Sequence, residues 1–473
     1  MPENKMGVMP ENRLLLSISI PMMISMLVQA LYNVVDSVFV SWISEDALNA
    51  VSLAFPIQNL MIAVSVGTCI GVNALLSRSL GARDQEMANQ AANTGIFLSM
   101  ASYLVFAIIG IFFSRTFFAL QVESEAVIGY GFDFMFWICV LSFGLFGQII
   151  FSRLLQSTGK TFLSMIVQLV GAVLNIILNP IFIFGYFGFP AMGVVGSAMA
   201  TVVGQIVGMV LAIYLHQKYN KEIQLSLVQI ICPSGLVIRK IYAVGFPSII
   251  MQSISSIMVL AVNQILLAFT QTATAVFGIY FKIQGFFFMP VFGLNNGIVP
   301  IIAYNYGSRK PTRIVNTTKL AVLYAVAMLT LGFLVFQLFP APLLRIFKAS
   351  EDMIAIGVPA LRYISPSFLL AGLVIVATSV FQAMGRGFLS MMISLVRQLI
   401  FLVPAAYLLS LTGNLNLVWL SFPIAEVAAS ILSAVFLKKV YQQVILPMQK
   451  NESDTAGAGG QIYRHPDEET NSN

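Results

Sequence analysis

The sequence predicts an all-α polytopic membrane protein, with twelve transmembrane helices in two pseudo-symmetric six-helix lobes built as parallel repeats. Three observations carry that reading. Of 473 residues, 58% are hydrophobic and 9% charged, whereas a soluble domain needs about 25% charged residues to face water. Twelve apolar runs reach the roughly 20 helical residues that a bilayer core of about 30 Å requires. The second half of the chain also repeats the first at an offset of 226 residues.

The runs cover approximately 14–43, 50–76, 88–113, 127–155, 161–184, 192–216, 238–268, 272–300, 315–338, 353–383, 388–411 and 415–437. Turn residues interrupt them, as in Gly81-Ala82-Arg83-Asp84 and Gly307-Ser308-Arg309-Lys310-Pro311. The chain so divides into a cytoplasmic N-terminus (1–13), an N-lobe (14–216), a cytoplasmic linker (217–237), a C-lobe (238–440) and a polar tail (441–473) expected to be disordered. Nineteen Lys and Arg fall in the connections on the N-terminal side, Arg153 and Lys160 among them. Arg115, Arg345 and Lys348 alone fall in those opposite. The positive-inside rule then places both termini in the cytoplasm of a protein of the inner membrane. Trp42 and Trp419 lie at predicted outer span ends, where an interfacial aromatic belt belongs.

The net charge of +6 forms no single patch and gives no case for nucleic acid. Leu14 begins a run too long for a cleavable leader. Cys69, Cys139 and Cys232 have no CxxC spacing and read as small apolar residues. His216 and His465 fall in stretches expected to be solvated, and no structural metal site is expected. No HExxH, GxSxG or intramembrane His cluster supports an enzyme, and no cofactor is expected.

Three anchors define the repeat. Pro21 matches Pro247, Gly81-Ala82-Arg83 matches Gly307-Ser308-Arg309, and Gln156–Met165 matches Gln382–Met391 with six of ten positions identical. Because each half holds six spans, both enter the membrane in the same sense. An axis along the membrane normal then relates them, which is the parallel-repeat arrangement of secondary transporters. Rocking one half against the other would alternate access to a central site.

A carboxylate at mid-span costs roughly 2.5–3.5 kcal/mol on insertion scales. Asp36 shares a face of span 1 with Gln29, Tyr32 and Asn33. Span 5 carries Gln168, Asn175 and Asn179 on one stripe, and span 6 carries Ser197, Thr201 and Gln205. If the three faces converge, Asp36 sits among neutral oxygens and amides with no basic partner. Such a carboxylate can take up and release a proton, or join the amides and a hydroxyl in a hard-oxygen Na⁺ site. A hydrogen-bonded Asp that only fixes helix packing is the structural alternative. In the second half, Lys282, Arg397 and Glu426 fall halfway along spans 8, 11 and 12. Glu426 is expected to pair with one of the two bases, structurally or as a gate. Asp133 is close enough to a span end to reach water, and Gly67-x-x-x-Gly71 and Gly204-x-x-x-Gly208 read as helix packing.

The pattern resembles the multidrug and toxic compound extrusion (MATE) family. The resemblance rests on Tyr32-Asn-Val-Val-Asp36, Ser77-Arg-Ser-Leu-Gly81-Ala-Arg83, Leu174-Asn175 through Asn179-Pro180, and Gly196-Ser-Ala-Met-Ala-Thr201. Further carriers are Lys282-Ile-Gln284, Met289-Pro290, Tyr304-Asn-Tyr-Gly307, Arg397-Gln398 and Phe422-Pro423-Ile-Ala-Glu426. It implies cation-coupled antiport, driven by H⁺ or Na⁺, of amphipathic and often cationic compounds by a functional monomer surrounded by membrane lipid. The family's cation site would map onto Asp36, Asn175, Asn179 and Thr201. Gln29, Tyr32 and Asn33, with Lys282, Arg397 and Glu426 of the second lobe, would supply the substrate and second-lobe polar site. The position before Pro180 is often Asp in relatives; Asn179 here leaves Asp36 the one carboxylate of the set. A lipid-linked precursor flippase of the same superfamily is the alternative, favoured by the surplus of basic residues in the second half.

Overall fold

The structure, a computed structural model, describes residues 4–347 and 349–450, with every side chain among them except that of Asn33. Twelve membrane-spanning elements follow one another. They are α1 (Glu11–Ser41), α2 (Glu45–Gly81), α3 (Gln85–Ala119), α4 (Glu125–Val140 with Phe143–Ser157), α5 (Thr161–Phe184) and α6 (Gly193–Tyr219). The second six are α7 (Gly235–Leu267), α8 (Gln271–Gly307), α9 (Pro311–Leu338), α10 (Glu351–Ile364 with Ser367–Ala383), α11 (Gly387–Ser410) and α12 (Leu415–Lys450). Helices are forced on the chain by lipid, which offers backbone N–H and C=O groups no partner. The two segments of α4 meet at 43° and those of α10 at 51°. Pro366 sits at the second bend and cannot donate to the preceding turn. At the first bend the Ser142 hydroxyl donates to Cys139 O at 2.7 Å, in competition with the helix ladder.

The repeat is written into local structure as well as sequence. Ser44 and Thr270, 226 residues apart, cap α2 and α8 by accepting from Ala47 N and Thr272 N. Ser124 and Ser350, at the same offset, cap α4 and α10. Arg83 and Arg309 both take positive φ, at 59° and 55°, in the turns that follow α2 and α8.

Contacts between the halves repeat reciprocally. A Cβ on Gly81 would lie 1.9 Å from Tyr304 O, and one on Gly307 would lie 1.9 Å from Arg78 O. Arg78 and Tyr304 are themselves 226 residues apart, so the two contacts are one contact seen from either side of a pseudo-two-fold axis. Likewise Gly67 packs on Ile249 and Gly71 on the Ile241 backbone, while Gly293 packs on Met23 and Gly297 on Ser19. Only glycine permits such approach of helix backbones.

All these contacts lie toward the end of the bundle that carries residue 5 and residue 440. Toward the other end, the α1 face that begins with Ser19 and Met23 continues through Leu27, Leu31 and Val34, all exposed. The facing side of α8 continues from Gly293 through Phe286 and Lys282, also exposed, to Gly278, whose Cβ position has no neighbour within 4 Å. The halves are therefore sealed at the terminus-bearing end and part toward the other, leaving a cleft.

A short N-terminal helix, Lys5–Val8, straps that seal. Met6 is fully buried and its carbonyl accepts from Asn305 Nδ2 at 3.0 Å. Lys310 Nζ donates to Gly7 O at 2.9 Å, and Asn4 Nδ2 to Glu222 at 2.7 Å. Burial first, and the neighbouring Lys160 second, push the Lys5 ammonium below its usual range.

Four expectations are corrected. Trp419 is fully buried, with its ring centroid 6.3 Å from that of Phe277, because the second half fills its core with aromatic rings. Trp42 remains 62% exposed at the end of α1. His216 is 2% exposed in the last turns of α6, with Nδ1 3.1 Å from Asn220 Nδ2. The expected tail is helical through Lys450, since α12 continues past 440; residues 451–473, His465 included, lie outside the described residues. Arg153, counted with the charges of a connection, is 7% exposed inside α4.

Candidate functional site

The three polar faces of α1, α5 and α6 converge. Asn179 Nδ2 donates to Asp36 Oδ1 at 2.6 Å and lies 3.1 Å from Asn175 Oδ1. Asn175 Nδ2 donates to Thr201 Oγ1 at 3.0 Å, and Ser197 Oγ reaches Asp36 Oδ1 at 3.4 Å. The four residues Asp36, Asn175, Asn179 and Thr201 so form one chain of contacts. Among the described residues, Asp36 has no ion-pair partner. Asn179 Oδ1 is buried and meets no donor, so one oxygen of the cluster is left for a proton-bearing group or a cation. Helix periodicity explains the assembly: steps of four on α5 (175, 179) and on α6 (197, 201) stack each pair on one face.

Next to this cluster is a cavity of about 200 Å³ lined by α1, α2, α4, α5 and α6. Gln29 and Tyr32 line it, as do Asn175 and Thr201, so the cavity abuts the Asp36 cluster. Asn33 was expected on the same face; its side chain is outside the described ones. Gln148, Gln168 and Gln205 add further amides, and Arg153 and Gln156 form the floor. Gly171 and Gly204 make the room: a Cβ on Gly204 would lie 2.8 Å from Gly171 O, so α5 and α6 approach backbone to backbone and their larger side chains turn aside.

The second half is not a copy of this site. The position equivalent to Asp36 is Val262, which is fully buried, and that equivalent to Gln148 is Val374. Its core is instead closed by Phe277, Tyr280, Phe336, Phe368 and Phe422, with neighbouring centroids 5.1–6.2 Å apart. Of the three charges expected there, two meet: Arg397 Nη1 is 3.5 Å from Glu426 Oε1. Arg397 lies in a stretch of widened helical turns, Val396–Leu402, that re-aims side chains along α11. Lys282 does not join them. It is exposed on the cleft face of α8 and has no ion-pair partner among the described residues.

Removing one member of a buried pair leaves the other desolvated and uncompensated. Glu426→Gln is therefore expected to destabilise the protein by about 2 kcal/mol, below the usual range for buried pairs because the Arg397 side chain is 26% exposed. Thermal denaturation of the detergent-purified protein checks this. The double variant Glu426→Gln/Arg397→Met should recover most of the loss if the pair is structural.

Arg153 was missed as a site residue. The sequence signal was its place inside the 127–155 run, which the charge count overrode. Ser197 was seen on the right face but not as a partner of Asp36.

The MatE family model matches residues 21–181 and again 247–408, two starts separated by the repeat offset. The multidrug export protein MepA of Staphylococcus haemolyticus is 26% identical over 418 residues, which cover 88% of this chain and 90% of that one. The FAD transporter of Shewanella oneidensis is 23% identical over 446 residues, covering 94% and 98%. A solved structure described as the outward-facing conformation of a multidrug resistance MATE family transporter of the MOP superfamily superposes with a TM-score of 0.88 at 25% identity, covering 95% of this chain and 99% of that one. The duplicated six-helix architecture and a family match over both halves together establish that this chain belongs to the MatE family of membrane transporters.

Proposed function

We propose that the protein is a secondary active exporter of amphipathic compounds, driven by inward H⁺ or Na⁺ through alternating access between its two lobes. The observation that carries this reading is the Asp36 cluster: a carboxylate held by neutral groups, with no base beside it among the described residues, at the edge of a cavity large enough for part of a small molecule. Asp36 binds the coupling ion, with Asn175, Asn179 and Thr201 as its neutral partners. Gln29 and Tyr32 face the transported compound, and Lys282 faces it from the cleft. The seal at the terminus-bearing end and the open cleft opposite describe one end state of the rocking motion. Similarity to multidrug export proteins and to an outward-facing transporter supports the assignment. The excess of Lys and Arg on one side supports cytoplasmic termini in the inner membrane, and the one-chain site supports a functional monomer in lipid. Energetically, one cation entering down 100 mV supplies about 2.3 kcal/mol.

The exposed Lys282 favours the second reading, a flippase for lipid-linked anionic precursors, since a lone cation on the cleft wall suits a diphosphate headgroup. Proteoliposomes with separately imposed pH and Na⁺ gradients test the first. Ethidium is expected to accumulate against its gradient under one of the two ion gradients and to stop when that gradient is dissipated. Ethidium movement indifferent to both gradients, or translocation of a labelled lipid-linked sugar alone, would overturn it.

A further inference from the structure

The floor of the first-half cavity carries a charge that the Asp36 cluster does not use. Arg153 is 7% exposed, yet among the described residues no carboxylate pairs with it. Its Nη1 donates to Gln156 Oε1 at 2.9 Å and to Asn296 Oδ1 of α8 at 3.0 Å, which occupies both N–H bonds of that nitrogen. Gln156 is held in turn by donating to Ser164 Oγ at 2.8 Å, so its oxygen stays turned toward Arg153. The guanidinium is thereby fixed by two neutral amides, one from each half of the protein. Nε and Nη2 meet no acceptor among the described residues. That edge presents two parallel N–H bonds, the fork that matches a carboxylate or phosphate bidentately.

The surroundings agree. No Asp or Glu lines the cavity. Among the described residues, the side-chain amides of Gln29, Gln148, Gln168 and Gln205 line it with no protein hydrogen bond, and the buried Ser152 hydroxyl lacks a partner. A buried guanidinium left without an anion is unfavourable, because a charge desolvated in protein must be compensated. The counterpart of Arg153 in the second half is Ser379, whose hydroxyl is satisfied by Ile375 O at 3.1 Å. The second half thus holds the equivalent position with a neutral, satisfied side chain.

We propose that Arg153 anchors an anionic group of the transported compound, a carboxylate or phosphate, at the floor of the cavity. The preferred substrates are then amphipaths with an acidic end, zwitterions included. This deepens the exporter reading and rests on its assignment of the cavity as the substrate site.

A matched pair of fluorescent probes separates the charge from everything else: 7-diethylaminocoumarin-3-carboxylate and the corresponding carboxamide. Binding is measured by anisotropy on the full-length protein in nanodiscs, with empty nanodiscs subtracted. The wild type is expected to bind the carboxylate about tenfold tighter than the carboxamide, a typical worth for a charge-assisted hydrogen bond. Arg153→Gln should erase that preference while leaving carboxamide affinity within about twofold, and Arg153→Lys, which keeps the charge without the fork, should retain part of it. Should Arg153→Gln fail to fold, the Arg153→Lys comparison and the wild-type preference still decide. Equal affinity for the two probes in the wild type, or equal weakening of both by either variant, would overturn the proposal and leave Arg153 a tie between the halves. Ethidium export by the same protein in proteoliposomes reports on the exporter reading independently: absence of gradient-driven export with the carboxylate preference intact would refute that reading and not this one.

Discussion

Replacing Asp36 by Asn is expected to reduce concentrative export to simple equilibration. Each pH unit supplies about 1.4 kcal/mol to a transported proton, which is tenfold in the gradient that one-for-one exchange can hold. With two pH units imposed, the wild type should sustain an accumulation ratio of about 100, and the variant a ratio near one. Asn is close to Asp in size, and Asn179 Nδ2 and Ser197 Oγ, which now donate to Asp36, can donate equally to an amide oxygen. The fold and the cavity should therefore survive, so dye binding stays while coupling goes. Steady-state dye accumulation in proteoliposomes measures both ratios. Under a Na⁺ gradient the same argument holds, because a neutral amide gives a cation weaker coordination than a carboxylate. Accumulation that is unchanged in the variant would remove Asp36 from the mechanism.

The second large effect is expected from Gly307→Ala. Its Cβ would fall 1.9 Å from Arg78 O, a backbone atom that no rotamer change can move. Overpacking of this kind costs about 3 kcal/mol at the upper end of its range, and the cost falls only on the conformation in which α2 and α8 touch. A two-state equilibrium between sealed and open ends would shift by roughly 100-fold. Gly81→Ala should do the same, because the pseudo-symmetry makes its clash with Tyr304 O the same contact. Gly278→Ala on the same helix, where a Cβ meets nothing within 4 Å, should do nothing. Spin-label distances between the terminus-bearing ends of α2 and α8 read the shift directly.

The architecture was legible in the sequence because lipid leaves a chain few options. Length of apolar run, turn residues and the repeat together specify twelve spans. The convergence of Asp36, Asn175, Asn179 and Thr201 was legible for a related reason, since helix periodicity fixes which residues share a face. What periodicity does not fix is depth. Arg153 and Trp419 sit near span ends, where burial depends on how neighbouring helices lean. The sequence places Arg153 beside Lys160 in a connection, but α4 carries it inward to meet Asn296, a residue 143 positions away. The Arg397–Glu426 pair was visible as one of two pairings. The choice between Arg397 and Lys282 needed the structure: Lys282 lies exposed on the cleft face of α8, whereas Arg397 lies across from Glu426 in the widened turns of α11. The asymmetry of the two halves was readable position by position, as Asp36 against Val262 shows.

The central claim is that one cavity faces the two sides of the membrane in turn, and cysteine accessibility tests it most directly. Gln205 lines the cavity. Gln205→Cys, in a protein with Cys69, Cys139 and Cys232 replaced, is treated with a membrane-impermeant maleimide from either side. The account predicts labelling from the side opposite the termini in the otherwise native protein, and from the terminus-bearing side once Gly307→Ala has loosened the seal. Labelling from the terminus-bearing side in both proteins, or from neither side in either, would contradict it.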